Sequence, residues 1–403
     1  MAKNKKKKWC KPRHAFFTEL IRLAISPFVR WKYHCRVKPF REAKKRPLLI
    51  LFNHQTGFDQ FFVGKAFDRP IYYVATEDIF SMGFVSGIIR YLVAPIPIKK
   101  QTTDVQAILN CMRVAREGGT IAIAPEGNRT YSGRTGYMSP SIVPLARKIG
   151  LPIVLYRIEG GYGIQPRWSD SVRKGKMQAY VARVIEPAEY AEMSDDELFE
   201  QIRAGLWVDE ATVSGEYRGK KRAEYLERAI YTCPTCGLAT WQSRGEVMEC
   251  TKCHQRVRYL PTKELCSTDG EFPFRFVADW YDWQTRFLSE LDLTALVNEP
   301  VRCEQAALFE VAPYQRKKRI AKRVTVSLYG DRITLAYGGE EVSYSFDALS
   351  AAVVLGKNKL NLYFDGHIYQ LKGNKSFNAL QFVHFYHQYQ NNKKGVKNGF
   401  LGI

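Results

Sequence analysis

Leu48-Leu49-Ile50-Leu51-Phe52-Asn53-His54-Gln55-Thr56-Gly57-Phe58-Asp59 is the stretch on which the reading of this chain turns. Its five leading apolar residues read as a buried strand. A His and an Asp five positions apart, just past the strand end, meet if the chain turns there into a helix. Gly57 eases such a turn, and the N–H groups of a starting helix favour negative charge. A histidine hydrogen-bonded to a carboxylate has a fixed tautomer, and its other nitrogen can take a proton near neutral pH. The chain lacks a Gly-x-Ser-x-Gly nucleophile elbow. The hydroxyl to be activated is therefore expected on the substrate. By itself such a pair is common, and a second motif is needed to give it meaning.

That motif is Ala124-Pro125-Glu126-Gly127-Asn128-Arg129-Thr130, which follows the apolar run Thr120 to Ala124. Two strand-end motifs separated by α/β units fall on the same edge of one sheet. Together, His54-x4-Asp59 and Glu126-Gly127-Asn128-Arg129-Thr130 resemble the glycerolipid (lysophospholipid) acyltransferase family, which includes 1-acylglycerol-3-phosphate acyltransferase. The family's two other blocks have counterparts in Ala94-Pro95-Ile96-Pro97-Ile98-Lys99-Lys100 and Gly150-Leu151-Pro152-Ile153-Val154, and the likeness covers roughly residues 46 to 190. Lys100 stands where the family usually has Arg, and Asn128 and Thr130 where it often has Thr and Ser. A lysine keeps the charge but not the planar fork.

The resemblance implies transfer of a fatty acyl group from an acyl thioester, acyl-CoA or acyl-ACP, to the hydroxyl of a lysophospholipid, with 1-acylglycerol-3-phosphate as the leading acceptor. It assigns His54 as general base and Asp59 as the group that orients it. Lys99, Lys100 and Arg129 would hold the acceptor's phosphate. Glu126 would hold a glycerol oxygen or brace the loop, and Gly127 would let the backbone approach closely. The family also keeps an acyl-chain tunnel in the region of Ile79 to Ile98, a stretch whose residues read as a buried helix and strand.

The 403 residues carry a formal net charge of +21. Residues 1 to 47 hold 16 Lys/Arg against 2 Asp/Glu, so most of that excess sits in one arm. An anionic partner is implied: a membrane surface, an acidic carrier protein or nucleic acid. Ala15 to Trp31 reads as an amphipathic helix, kinked or restarted at Pro27. A basic start and an aromatic-rich apolar face suit an element lying in the membrane interface, where each Lys or Arg adds about 1 kcal/mol. No run of 18 or more apolar residues occurs. The expected location is cytoplasmic, peripheral (monotopic) on the cytoplasmic face of the membrane.

The expected fold is α/β, a mainly parallel sheet with flanking helices, followed by a zinc ribbon and a small β-rich domain closed by a C-terminal helix. The arm occupies residues 1–45, the acyltransferase domain 46–210, a linker helix and zinc ribbon 211–265, an aromatic-rich helical linker 266–312 and the β-rich domain 313–403. Met177 to Ile185 reads as an edge strand, and Asp104 and Ser194 as helix caps. Cys233-x-x-Cys236 and Cys250-x-x-Cys253, 13 residues apart, fit a four-thiolate structural zinc site. Two disulfides or a redox dithiol fit the spacing less well. The basic run Arg316 to Arg323 precedes short alternating strands, and Ser376 is the expected cap of a last helix. This C-terminal pattern looks like a pleckstrin-homology-like domain. His384, His387 and His367 read as packing residues rather than a metal site.

Two rival functions fit part of the chain. A nucleic-acid-binding zinc-ribbon protein accounts for charge and cysteines but not for the two motifs, so nucleic acid is the partner this reading disfavours. A catalytically silent lipid-binding adaptor accounts for the C-terminal part.

Overall fold

The computed structural model describes residues 8–44, 46–76, 79–80, 83–98, 104–312 and 317–402. The chain divides into two compact units. The first comprises Met1–Thr130, Arg134–Ile164 and Lys174–Val213, and the second Tyr131–Gly133, Gln165–Arg173 and Ser214–Ile403.

The first unit is built on seven strands: β1 (Cys35–Val37), β2 (Leu49–Phe52), β3 (Ile71–Thr76), β4 (Ile96–Ile98), β5 (Thr120–Ile123), β6 (Ile153–Glu159) and β7 (Met177–Ile185). Their spatial order is β1-β7-β6-β2-β5-β3-β4. Every neighbouring pair is parallel except β6 and β7. β2 is the middle strand and all four of its residues are buried, which is why it reads as an unbroken apolar run. Eight helices accompany the sheet: α1 (Pro12–Tyr33), α2 (Asp59–Ala66), α3 (Phe84–Leu92), α4 (Val105–Arg116), α5 (Ile142–Ile149), α6 (Gly161–Ile164), α7 (Pro187–Ala191) and α8 (Asp195–Leu206). Leu49 and Leu51 of β2 share a core with Val114 of α4, Val143 and Ala146 of α5 and Ile202 of α8. Another core joins α1, α2 and β6: Tyr33 packs on Phe62, and the Tyr156 hydroxyl donates to the Phe62 carbonyl (3.1 Å). Asp104 caps α4 through the Ala107 N–H (3.0 Å), and Ser194 caps α8 with Glu197.

Three expectations need correction here. Met177–Ile185 is not an edge strand, because β1 pairs beyond it. No second helix starts at Pro27, through which α1 runs on to Tyr33. Pro27 and Leu23, whose carbonyl loses its partner to the proline, both lie on the exposed side. Finally, α3 is not buried: Ser86 is its single buried residue.

The second unit starts with a four-stranded antiparallel sheet, Trp241–Arg244, Val247–Cys250, Arg256–Tyr259 and Leu265–Ser267. No α-helix lies between 211 and 265; the expected linker helix is only the 3-10 turn Leu226–Arg228. Of the aromatic stripe Trp280 is core, and the other rings are half-buried. Trp280 of α9 (Val277–Glu290) sits edge-on to Trp241 and Phe272, with ring centroids 4.9 Å apart in each pair.

A seven-stranded antiparallel sheet follows, in the spatial order Glu340–Ser345, Arg332–Tyr337, Lys318–Leu328, Arg302–Glu310, His367–Gly373, Lys359–Phe364, Leu349–Leu355. Its middle strand, Arg302–Glu310, lies in the stretch read as helical linker. The basic residues Lys318 to Arg323 do not precede a strand starting at Val324 but form the leading half of Lys318–Leu328, since ladder bonds come from the backbone whatever the side chains. Arg316 lies outside the described residues. The closing helix, α10 (Ala379–Lys393), is capped by Asn378, which accepts the Gln381 N–H (2.9 Å), and not by Ser376.

His384 of α10 is buried between two tyrosine hydroxyls, Tyr231 at Nδ1 (2.7 Å) and Tyr281 at Nε2 (3.0 Å). Burial pushes its imidazole down to about 3. His384 is therefore neutral when folded, while the unfolded chain takes up a proton below about 6.5. The associated stability is complete above that value and is lost progressively as pH falls towards 3. Urea unfolding followed by tryptophan fluorescence should show the second unit destabilised by about 2 kcal/mol per such group between pH 7.5 and pH 5, with a smaller pH effect in His384→Gln.

Candidate active site

β2 delivers Asn53 and His54 to the C-terminal end of the sheet's middle strand, and the chain turns through Gln55–Phe58 into α2. Asp59 is the first residue of that helix and its side chain has no solvent exposure. A buried carboxylate must be surrounded by donors. Oδ1 accepts the Thr56 N–H (2.9 Å) and hydroxyl (2.7 Å), and Oδ2 accepts the Gln55 N–H (2.7 Å). His54 Nδ1 lies 2.7 Å from the same Oδ2. With its proton on Nδ1, the imidazole carries its lone pair on Nε2. The His54 side chain is 27% exposed, so the ring is oriented by Asp59 and reaches the surface.

β5 is the neighbour of β2, and its C-terminal end brings the second motif alongside. Glu126 is buried, and both of its oxygens accept backbone N–H groups: Oε1 that of His54 (2.7 Å), Oε2 that of Gly136 (2.6 Å). Burial pushes the Glu126 carboxyl up to about 7, against the lowering effect of those two donors. The Thr130 N–H donates to the His54 carbonyl (3.3 Å). The catalytic candidate is thus clasped on both sides of its own backbone by the second motif. Gly127 turns that loop at φ 64°, in the left-handed region. Arg129 is close by, since a Cβ on Gly57 would stand 3.8 Å from its Nη1.

The structure brings together His54, Asp59, Glu126, Gly127 and Arg129. Lys99 and Lys100 lie outside the described residues, just after β4. Gly150–Val154 forms the turn from α5 into β6, at the opposite end of the parallel strands, with Gly150 as the left-handed C-cap of α5.

Several positioning residues are invisible to motif reading. Asn53 pairs both ways with Ile158 of β6: its Nδ2 donates to the carbonyl (2.8 Å) and its Oδ1 accepts the N–H (2.7 Å). Gln55 Oε1 accepts the Tyr162 N–H (3.2 Å). Gly161 presses on the motif loop so closely that a Cβ there would stand 2.7 Å from Gln55 Cβ. Buried amides flanking a histidine were the one available signal.

In the second unit the four cysteines gather, all Sγ atoms within 4.8 Å of one another, with Cys233 and Cys253 3.6 Å apart. A tetrahedral ion with bonds of about 2.3 Å needs sulfurs about 3.8 Å apart, so the donor set fits a metal ion. His254 is exposed and faces Glu249 (3.1 Å). Among the described residues no histidine joins a metal-binding cluster.

Residues 34–158 match the model of the acyltransferase family. A chloroplastic 1-acyl-sn-glycerol-3-phosphate acyltransferase of Brassica napus is 23% identical over 128 residues, 31% of this chain and 37% of its own length. The 1-acyl-sn-glycerol-3-phosphate acyltransferase of Borreliella burgdorferi is 28% identical over 118 residues, 28% of this chain and 47% of its own. The crystal structure of the 1-acyl-sn-glycerophosphate acyltransferase of Thermotoga maritima aligns with 48% of this chain and 78% of its own at 20% identity, with a TM-score of 0.42. The chain spans less than half the length of either curated relative. The matched stretch, residues 34–158, holds both motifs.

Glu126→Gln sets an amide NH2 against one of the two N–H donors. Above pH 8, where the carboxyl is ionised, loss of one charge-assisted bond, on the order of 1.5 kcal/mol, corresponds to roughly tenfold faster amide exchange. Hydrogen-exchange mass spectrometry should show that increase in peptides covering 53–60 and 127–138, with β2 and β5 still protected.

Proposed function

We propose that the first unit transfers a fatty acyl group from an acyl thioester to the hydroxyl of a lysophospholipid, 1-acylglycerol-3-phosphate being the acceptor that the named relatives favour. The observation that carries this reading is His54 Nδ1 at 2.7 Å from a buried Asp59, inside a domain of the acyltransferase family. His54 Nε2 takes the proton of the acceptor hydroxyl as its oxygen attacks the thioester carbonyl carbon. Asp59 stabilises the imidazolium that forms. Collapse of the tetrahedral adduct breaks the C–S bond, and the departing thiolate recovers the proton. A thiol with a pKa of about 8.5 leaves with little acid assistance. Arg129, with Lys99 and Lys100, is read as the anchor of the acceptor's phosphate. With both its oxygens on backbone N–H groups, Glu126 suits the bracing role better than that of a glycerol ligand.

The donor is acyl-CoA or acyl-ACP. The acceptor is an amphiphile, so the working partner is an anionic membrane surface, and the location is peripheral on its cytoplasmic face. Cys233, Cys236, Cys250 and Cys253 are read as one structural zinc site. Four thiolates complete a tetrahedral shell and leave no position for chemistry. The C-terminal sheet and helix are read as pleckstrin-homology-like on strand order.

The decisive test is incubation with labelled acyl-CoA and acyl-ACP against a panel of lysolipids. General-base loss predicts a fall in kcat of about 10²–10⁴-fold in His54→Ala with an unchanged melting curve, and a comparable loss in Asp59→Ala with a lowered melting temperature, because the buried Gln55 and Thr56 donors lose their acceptor. Arg129→Ala should raise KM for the phosphate-bearing acceptor more than it lowers kcat. Undiminished turnover in His54→Ala would remove the enzymatic reading. Elemental analysis should find one zinc per chain, and Cys250→Ser should lose it together with the cooperative unfolding of the second unit.

A further inference from the structure

Apolar side chains on a protein surface are usually scattered. On α1 they are aligned. Phe16, Leu20, Leu23 and Trp31 recur at helical spacing and are 66%, 52%, 63% and 75% exposed. The opposite side of α1 carries the buried residues His14, Val29 and Tyr33. The exposed stripe is therefore a second apolar face, left over after the helix has packed.

α3 repeats the pattern. Phe84, Ile88 and Tyr91 lie one helical turn apart and are 84%, 41% and 54% exposed. The two helices touch. The Phe17 and Tyr91 rings lie 6.1 Å apart, and the Arg13 guanidinium sits 4.0 Å over the Tyr91 ring while its Nε donates to the Tyr91 carbonyl (3.2 Å). At its other end α1 reaches the motif loop: Phe28 and Tyr33 contact Phe58, the residue before Asp59.

We propose that α3 is an interfacial element in its own right, and that its outer face docks with that of α1 on an anionic phospholipid leaflet. Charge argues for this occupant over a protein. The arm that carries α1 holds 16 Lys/Arg against 2 Asp/Glu. Trp31 and Tyr91 are the residue types that favour the headgroup level of a bilayer. Among the described residues no helix is long and apolar enough to cross a membrane, and both helices suit lying in the interface. Docked in this way, the loop from His54 to Asp59 meets the lipid headgroups. That consequence rests on the acyltransferase reading; the docking itself does not.

The test is flotation of the full chain with vesicles of phosphatidylglycerol and phosphatidylcholine, and with phosphatidylcholine alone. The paired change Phe84→Ser and Ile88→Ser is expected to lower partitioning onto the anionic vesicles at least tenfold, as is the pair Leu20→Ser and Trp31→Ser. Val396→Ser, an exposed apolar residue elsewhere, should change nothing. Turnover of a short-chain acceptor dissolved below its micelle concentration should stay within twofold of the parent in the Leu20→Ser, Trp31→Ser variant, while turnover of vesicle-borne acceptor falls with binding in both paired variants. As a check that does not disturb folding, Phe84→Trp should gain fluorescence that brominated lipids quench. Undiminished partitioning of the α3 variant, or an unquenched Trp at 84, would overturn the proposal. So would a vesicle-free dimer that the α3 changes convert to monomer while lipid binding persists, since the face would then join two copies. Loss of vesicle binding in a protein that turns over no acceptor would uphold the docking and remove the enzymatic reading instead.

Discussion

A carboxylate with no solvent contact sets the geometry of this molecule's site. Asp59 begins a helix just beyond a fully buried strand, where an uncompensated charge would be costly. The cost is avoided by wrapping the preceding loop around it, so that Gln55 and Thr56 donate their N–H groups and Thr56 its hydroxyl. That wrapping brings His54 Nδ1 to Oδ2. The dyad is thus a by-product of satisfying the acid: the same turn that stabilises the charge orients the imidazole.

The loop is then held from three directions. Glu126 and Thr130 bind the two backbone groups of His54. Asn53 locks its side-chain amide onto β6. Gly161 lets β6's continuation press against Gln55. Each of these contacts spans more than 70 residues of sequence, and all are short because β5 and β6 flank β2. Middle position in a parallel sheet lets one histidine be braced from both sides, which an edge strand could not provide. The second unit follows the same rule of satisfied burial with other residues: Gln284 accepts the Tyr231 N–H and donates to the Ala229 carbonyl, fixing α9 to the segment just before Cys233.

The parts that were legible in the chain were those whose signal is local. The run Leu48–Phe52, the His54–Asp59 spacing, the caps at Asp104 and Ser194 and the paired cysteines each announce themselves within a few residues. Other features depended on what lies alongside. Met177–Ile185 alternates like an edge strand, yet β1 covers it. Arg302–Glu310 carries too many polar residues to read as a central strand, but it pairs on both sides. Lys318–Arg323 reads as a charged linker, yet its backbone pairs along Leu308–Glu310 through an irregular register. Phe84 to Tyr91 reads as core by composition, and composition says nothing of which face meets protein.

From the order of its residues alone, this chain determined which side chains could do chemistry and roughly where its strands end, because apolar periodicity and turn residues act over short distances. Only the tertiary structure decided that His54 is gripped by Glu126 and Thr130, that Glu126 has no oxygen to spare, and that two helices keep apolar faces outward. Those outcomes depend on which strands become neighbours and which surfaces remain uncovered, and both are settled by packing the whole sheet at once.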